Sequence, residues 1–293
     1  MNAQTPIASA LEVDRGSGNP APPDLAITVR DLRFARKGKV ARWWLNGDPI
    51  ATSWFNALSG TFPRGEAFFI ESVKAFREGV PPRLAAEIRA FIQQEINHTR
   101  EHLALNRIAT DAGFDMMAID RRVEEDMKLL EGRPAILDLA STMALEHFTA
   151  ILAHDLLAYP ETFAGADPEV AALWRWHAIE EIEHKAVAYD TWLHATRGWS
   201  RFKRWRVKAL MMLVITNKFV RHRIADTMDL LAQAGIEGPA AKRQLLGYLF
   251  GKPGVLRRVF PAWLGYFKPG FHPWDQDDRA LIAEAEAALA ART

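Results

Sequence analysis

Hydrophobic residues recur at steps of three and four along most of this chain, which is the spacing of one buried face on an α-helix. Glycine and proline residues interrupt the pattern and mark where helices begin and end. We therefore predict an all-α fold with further helices in the C-terminal third. Before that third, the predicted helices span residues 63–77, 82–112, 115–130, 134–159 and 168–197.

Two segments that precede these helices show a different pattern. Residues 25–34 alternate loosely between apolar and polar, which predicts a short extended segment. Residues 41–63 contain tryptophans and glycines, and we expect them to wrap over the helices.

We interpret residues 1–25, which are rich in Ala, Pro and Gly, as a disordered tail, and residues 26–293 as one helical domain. The tail has no apolar run of signal-peptide length, so we expect a cytoplasmic protein.

Metal-binding residue types lie inside the apolar faces of four predicted helices. A buried carboxylate or imidazole is costly unless it is paired, hydrogen-bonded or bound to a metal. A paired polar core is the alternative to a metal site. The residues in question are Glu66, Glu95, His98, His102, Glu146, His177, Glu181 and His184.

Two of these helices carry a Glu-x-x-His step, Glu95 to His98 and Glu181 to His184. Residues three apart share one helix face, so each pair can bind one metal ion. Two such steps, with one Glu from each of two other helices, form the ligand set of di-iron and di-manganese carboxylate bundles. Glu66 and Glu146 lie in the right order to supply the single glutamates, and we expect Glu95 and Glu181 to bridge the two metals.

His102 and His177 go beyond this set of six. Each lies one helical turn from a ligand on the same face, so it is either an additional ligand or a donor that orients a glutamate. Glu71 lies in the same helix as Glu66 and is the weaker candidate for the single glutamate ligand of that helix. We expect Glu180 and Glu183 to make polar contacts and His147 to have a structural role.

The motifs around these residues resemble the bacterial "predicted metal-dependent hydrolases" of the ferritin-like superfamily. The resemblance covers roughly residues 28 to 280, and it implies a four-helix core with a two-metal centre. The segments that carry it are Pro63–Phe69, Gln94–His98, Ala144–Ala150, Trp176–Lys185 and Pro269–Trp274.

Three classes of function fit such a centre. A hard, carboxylate-rich site suits iron, or else manganese, more than zinc, so our leading hypothesis is a di-iron oxidase or oxygenase. That chemistry requires an electron donor such as a reductase or ferredoxin. The first alternative is a hydrolase in which two metals activate water. The second is a non-catalytic metal-binding protein.

Composition limits the partners. There is no cysteine, which excludes disulfides and iron–sulfur clusters, and the net charge of +1 does not indicate nucleic acid binding. Many apolar and aromatic residues favour a lipid-like or aromatic small-molecule substrate. The sequence does not fix the oligomeric state, and a dimer is one option.

Residues 197–223 contain nine Lys or Arg residues and no acidic residue. Their apolar run, 207–215, is too short to span a bilayer. Three interpretations remain open: a core helix with basic ends, a helix lying on anionic lipid at the inner membrane surface, and a phosphate-binding rim. The basic and aromatic stretch 248–274 could extend the same surface.

Overall fold

The computed structural model describes residues 22, 25–34, 40–252 and 254–291. These residues form eleven α-helices and two short 3-10 helices, with one isolated bridge and no strand, so the all-α prediction is confirmed. The α-helices are α1 (Pro49–Ser59), α2 (Phe62–Lys74), α3 (Pro82–Asp111), α4 (Met116–Lys128), α5 (Ala135–Ala158), α6 (Pro168–His184), α7 (Val187–Ala195), α8 (Arg201–Ala232), α9 (Gly238–Phe250), α10 (Val255–Gly265) and α11 (Arg279–Ala290).

Local signals in the sequence explain the helix boundaries. The predicted starts of α2 to α6 all lie within one residue of the observed ones. Asp167 caps α6, because its carboxylate accepts hydrogen bonds from the backbone N–H groups of Glu169 and Val170. Gly113 follows α3 with a φ of +94°, a conformation that glycine adopts without strain.

The segment 41–63 does more than wrap over the helices, because it contains the helix α1. Asp48 caps it by accepting hydrogen bonds from the backbone N–H groups of Ile50 and Ala51, and Pro49 occupies its first position. Ten of its eleven residues are buried. The helix is short, and four of its buried residues, Thr52, Ser53, Asn56 and Ser59, are polar, so its apolar spacing is a weak signal in the sequence.

The predicted helix 168–197 is two helices in the structure. It breaks after His184, and α7 begins at Val187. The buried Lys185 lies at the break, where its ammonium group donates hydrogen bonds to the Gln276 carbonyl and the Asp278 carboxylate. These bonds fix the junction against the C-terminal segment.

Residues 25–34, predicted as a short extended segment, do not pair with another segment as a β-strand. Instead the segment lies against α6. The backbone N–H groups of Thr28 and Arg30 donate to the carboxylates of Glu183 and Glu180. Of the predicted tail 1–25, only Pro22 and Leu25 lie within the described residues.

Four helices pack around one interior region. α2 packs on α3 and α5, and α6 packs on α5 and α3. Helix α8 covers α1 and α5 from outside, and α10 packs against α5. Within the described residues, α5 is the one helix long and apolar enough to cross a membrane, and 61% of its most apolar window is buried in the protein, as in a core helix.

Candidate metal centre

The structure brings all eight candidate ligands together. They come from α2, α3, α5 and α6, and each side chain is buried. Each helix contributes them from the face that its apolar stripe turns inward, as the spacing requires. They are Glu66 from α2; Glu95, His98 and His102 from α3; Glu146 from α5; and His177, Glu181 and His184 from α6.

One half of the cluster centres on His98. Its Nδ1 atom lies 3.8 Å from Glu95 Oε2 and 3.4 Å from Glu181 Oε1. His177 Nε2 lies 3.2 Å from the same Glu181 oxygen. Glu66 joins this half, because its carboxylate can share one ion with Glu95 and His98.

The other half centres on His184. Its Nε2 atom lies 3.3 Å from Glu95 Oε1, 3.4 Å from Glu146 Oε2 and 3.6 Å from Glu181 Oε1. Glu95 and Glu181 therefore contact both halves. This is the position that a carboxylate bridging two ions would occupy.

The unpaired atoms of the cluster fit metal binding. Among the described residues, nine buried oxygen and nitrogen atoms of the cluster make no hydrogen bond, although they face one another. Ligands bound to one ion at ~2.1 Å lie about 3 to 4 Å apart. His184 Nε2 lies at such distances, 3.3 Å from Glu95 Oε1 and 3.4 Å from Glu146 Oε2. The nine are Glu66 Oε1, both oxygens of Glu95 and of Glu146, His98 Nδ1, His177 Nε2, Glu181 Oε2 and His184 Nε2.

The electrostatics of the cluster also indicate a missing positive charge. Burial, with Glu95 nearby, raises the pKa of Glu66 well above its usual value, and burial raises the pKa of Glu146 to about 8. Burial opposes a charged His184, yet Glu181 and Glu146 raise its pKa well above the usual value. Protons thus offset the buried carboxylates, a role that divalent cations can take over.

The atoms behind the ligands were not found by the sequence analysis. His98 Nε2 lies 3.0 Å from Glu180 Oε2, and His184 Nδ1 lies 3.0 Å from Gln94 Oε1. The Gln94 amide donates to Glu183, and Arg30 donates to both Glu180 and Glu183. Arg30 thus contacts carboxylates that support both halves of the cluster. The polar role predicted for Glu180 and Glu183 agrees with these contacts.

A chain of hydrogen bonds sets the protonation of His102 and His177. Asn106 donates from Nδ2 to the Ser59 carbonyl, so its Oδ1 accepts from the Ser59 hydroxyl. Ser59 Oγ then accepts from His102 Nδ1, and His102 Nε2 accepts from His177 Nδ1. His177 Nε2 is left with a lone pair beside Glu181. Burial lowers the pKa of His177 to about 4, which keeps the ring neutral.

Two other candidates lie outside the cluster. Glu71 is exposed on α2 and pairs with Lys74, 2.9 Å away. His147 is buried on α5, where its Nε2 contacts the Ala262 carbonyl 3.2 Å away. Both agree with the roles assigned from the sequence.

An apolar cavity of about 260 Å³ adjoins the cluster. His177 and Glu181 line its inner end, so the first half of the centre can be reached from it. Phe62 packs on the rings of both His102 and His177 at the same end. The walls consist mainly of aliphatic and aromatic side chains from α1, α2, α5 and α8.

One comparison with known proteins gave a match. A protein-family model described as "Predicted metal-dependent hydrolase" matches residues 28–277. Neither the curated proteins nor the solved structures contain a match to the chain.

Proposed function

The chain belongs to the family of predicted metal-dependent hydrolases, and from this premise we propose that its buried Glu–His cluster binds two metal ions and hydrolyses an ester or amide. The observation that carries the proposal is the set of nine unpaired ligand atoms beside an apolar cavity. As part of the same proposal, α2, α3, α5 and α6 form a ferritin-like four-helix bundle around the two metals.

The residues divide between two ions. Glu66, His98 and His177 would hold the first and Glu146 and His184 the second, while Glu95 and Glu181 would be shared by both. Two such ions lower the pKa of a water molecule and polarise a carbonyl group, which is the chemistry that hydrolysis needs. His102 does not bind an ion in this scheme, because it orients His177 through the bond between their rings.

The protein's own residues would select and place the substrate. The cavity walls are mainly aliphatic and aromatic, so they favour an apolar or amphiphilic molecule. Phe62 holds the rings of His102 and His177 from one side, while Glu180 and Gln94 fix His98 and His184 from behind. The ligands are thus preorganised before metal or substrate arrives.

Oxidation with dioxygen at a di-iron centre, our leading hypothesis from the sequence, becomes the second candidate. One observation favours it: the ligand set is rich in carboxylates and fully buried, which protects reactive oxidised species from water. The family description does not extend to dioxygen chemistry, whereas it names a hydrolase, the first alternative from the sequence.

Metal reconstitution discriminates the two reactions. The metal-free protein is loaded with zinc, manganese or, without air, ferrous iron, and each form is assayed against fatty-acyl esters and amides. We expect hydrolysis by the zinc or manganese form and no rapid oxygen uptake by the ferrous form. Rapid oxygen uptake by the ferrous form, with no hydrolysis by any form, would establish the oxidase instead.

A further inference from the structure

The outer face of α8 combines exposed apolar and basic residues. Leu210, Leu213 and Val214 are 56%, 50% and 61% exposed in the middle of the helix. Arg206 and Arg221 lie on the same face, one on each side of the apolar group, and both are exposed. An amphipathic face of this kind is typical of helices that lie in a membrane interface.

Helix α10 repeats the arrangement. Phe260 and Leu264 are exposed, and the exposed Arg257 and Lys268 lie on either side of them along the chain. Hydrogen bonds join α10 and the residues after it to α8. They run from Trp205 to the Phe267 carbonyl, from Lys208 to the Tyr266 carbonyl and from Trp263 to the Thr216 hydroxyl.

The charge distribution favours an anionic partner. Residues 191–225 and 238–274 contain 15 of the 37 Lys and Arg residues and none of the 36 Asp and Glu residues. The rest of the chain, with 22 basic and 36 acidic residues, carries a formal charge of −14. Lys208 and Arg223 are buried, but Arg206, Arg221, Arg257 and Lys268 are exposed, so part of this positive charge lies on the outer surface, where it favours anionic lipid.

The same helix forms a wall of the cavity. Met211, Ile215 and Phe219 line the cavity from the inner face of α8. Val214 lines it as well, although most of its side chain is exposed, so it marks the mouth. Lys218 lies one turn further along the helix and also lines the cavity.

We propose that the outer face of α8 and α10 docks on anionic lipid bilayers, and that a lipid acyl chain enters the cavity past Val214. The lipid head group contacts the basic residues of α8, while the acyl chain extends towards His177 and Glu181. The substrate class is then an acyl lipid. Only the cleavage of that lipid rests on the proposed function, because docking and chain binding require no metal.

Vesicle sedimentation of the metal-free protein tests the docking step. We expect the wild type to pellet with phosphatidylglycerol-containing vesicles but not with pure phosphatidylcholine vesicles, and to detach as salt is raised. The double variant Leu210→Glu, Leu213→Glu should bind at least about tenfold more weakly. Leu103→Glu, at a leucine that is 54% exposed on α3, is the matched control and should bind as the wild type does. Equal pelleting with both vesicle types, or none, would overturn the docking surface.

Binding of a fluorescent 18-carbon fatty acid in solution tests the cavity. Gly65 lies in α2 and lines the cavity, and a Cβ there would meet no atom within 4 Å. Gly65→Leu should therefore fill the cavity without harming the helix, and should weaken fatty-acid binding at least about tenfold while vesicle binding persists. Gly247→Leu in α9 also meets open space and is the control. Unchanged fatty-acid binding by Gly65→Leu would overturn the assignment of the acyl chain to this cavity.

Discussion

Each histidine that we assign as a ligand presents one ring nitrogen to the cluster and bonds through the other to a different kind of partner. His98 has the carboxylate of Glu180, His184 the amide of Gln94, and His177 the ring of His102. A carboxylate partner makes an imidazole more basic than an amide partner does. The two halves of the centre therefore differ, and we expect the two metals to bind with different affinities.

Glu95 and Glu181 are the residues on which both halves depend. The double variant Glu95→Ala, Glu181→Ala should lose stoichiometric metal binding altogether, because each ion loses two carboxylates at once. Elemental analysis after equilibrium dialysis measures this directly. Glu71→Ala, on the exposed face of α2, should keep two metals per chain. Two tightly bound metals in the double variant would refute the shared ligand set.

A variant of Ser59 tests the series of hydrogen bonds that orients His177. Ser59→Ala removes the acceptor of His102 Nδ1, so the His102 ring can turn and His177 Nε2 is no longer held towards Glu181. We expect affinity for one of the two metals to fall by about tenfold. Ser53→Ala is the control, because Ser53 is buried on the same helix and its hydroxyl makes no hydrogen bond among the described residues. Titration calorimetry should show two unequal sites in Ser53→Ala and a weakened one in Ser59→Ala.

The candidate ligands could be predicted from the sequence because they lie on apolar stripes of long helices. Buried carboxylates at helical spacing need a partner, and the spacing shows that they share one face. Arg30 and Gln94 could not be predicted in the same way. Arg30 lies 150 residues from Glu180 in a segment without helical spacing, so only the folded chain shows that the two side chains meet.

At the scale of elements, the segment 25–34 acts as a clamp on α6. The Arg30 side chain lies 2.7 Å from Glu183 and 3.4 Å from Glu180, and it also contacts Glu286 of α11. Glu180 and Glu183 are buried, so each needs this positive charge. Through them the segment supports His98 and, by way of Gln94, His184, one from each half of the cluster.

Arg30→Ala should therefore weaken metal binding by about 10- to 100-fold and destabilise the protein by about 3–5 kcal/mol, since it leaves buried carboxylates uncompensated. Arg33→Ala removes an exposed arginine from the same segment and should change neither quantity. Urea unfolding and metal titration of both variants measure the effects. A loss of stability in Arg30→Ala with unchanged metal affinity would show that the clamp serves the fold alone.

Long helices with local end signals were predictable, including α6, most of whose residues are buried. Helices α2 and α3 have proline at their starts and a clear buried face, and their bounds followed from these features. Helix α1 has 11 residues, and four of its ten buried residues are polar, so its apolar spacing gives a weak signal. The break between α6 and α7 depends on bonds from Lys185 to residues about 90 positions away, which no local pattern encodes.

At the scale of the whole molecule, the pH dependence of stability has a contribution from Lys208. This lysine is buried between α8 and the aromatic rings of Tyr189, Tyr266 and Phe271, with His147 also nearby. Burial lowers its pKa to about 7, partly offset by Asp275. Because the unfolded chain binds more protons between pH 7 and 10.5, this lysine makes the protein more stable as pH rises through that window.

Lys208→Met removes that contribution. Measured on metal-free protein, the stability of the wild type relative to Lys208→Met should rise by about 2 kcal/mol between pH 7 and pH 9. Lys242→Met, which removes an exposed lysine of α9, is the matched control. Urea unfolding at the two pH values gives the comparison. A constant difference between wild type and Lys208→Met would mean that Lys208 stays charged across this range.

The buried carboxylates of the Glu–His cluster oppose folding of the metal-free protein. Glu146 is buried beside Glu95 and Glu181, and burial raises its pKa to about 8, so above that pH the metal-free protein must hold an unfavourable charge. At pH 8.5, Glu146→Gln should therefore stabilise the metal-free protein by about 1–2 kcal/mol, because the amide has the same shape without the charge. With metal at about 100 times its dissociation constant, the wild type should gain about 2.7 kcal/mol per site, and the variant less. Thermal unfolding with and without metal measures both effects. If Glu146→Gln lowered the stability of the metal-free protein and left the metal-induced gain intact, Glu146 would serve the packing of the core and would not bind metal.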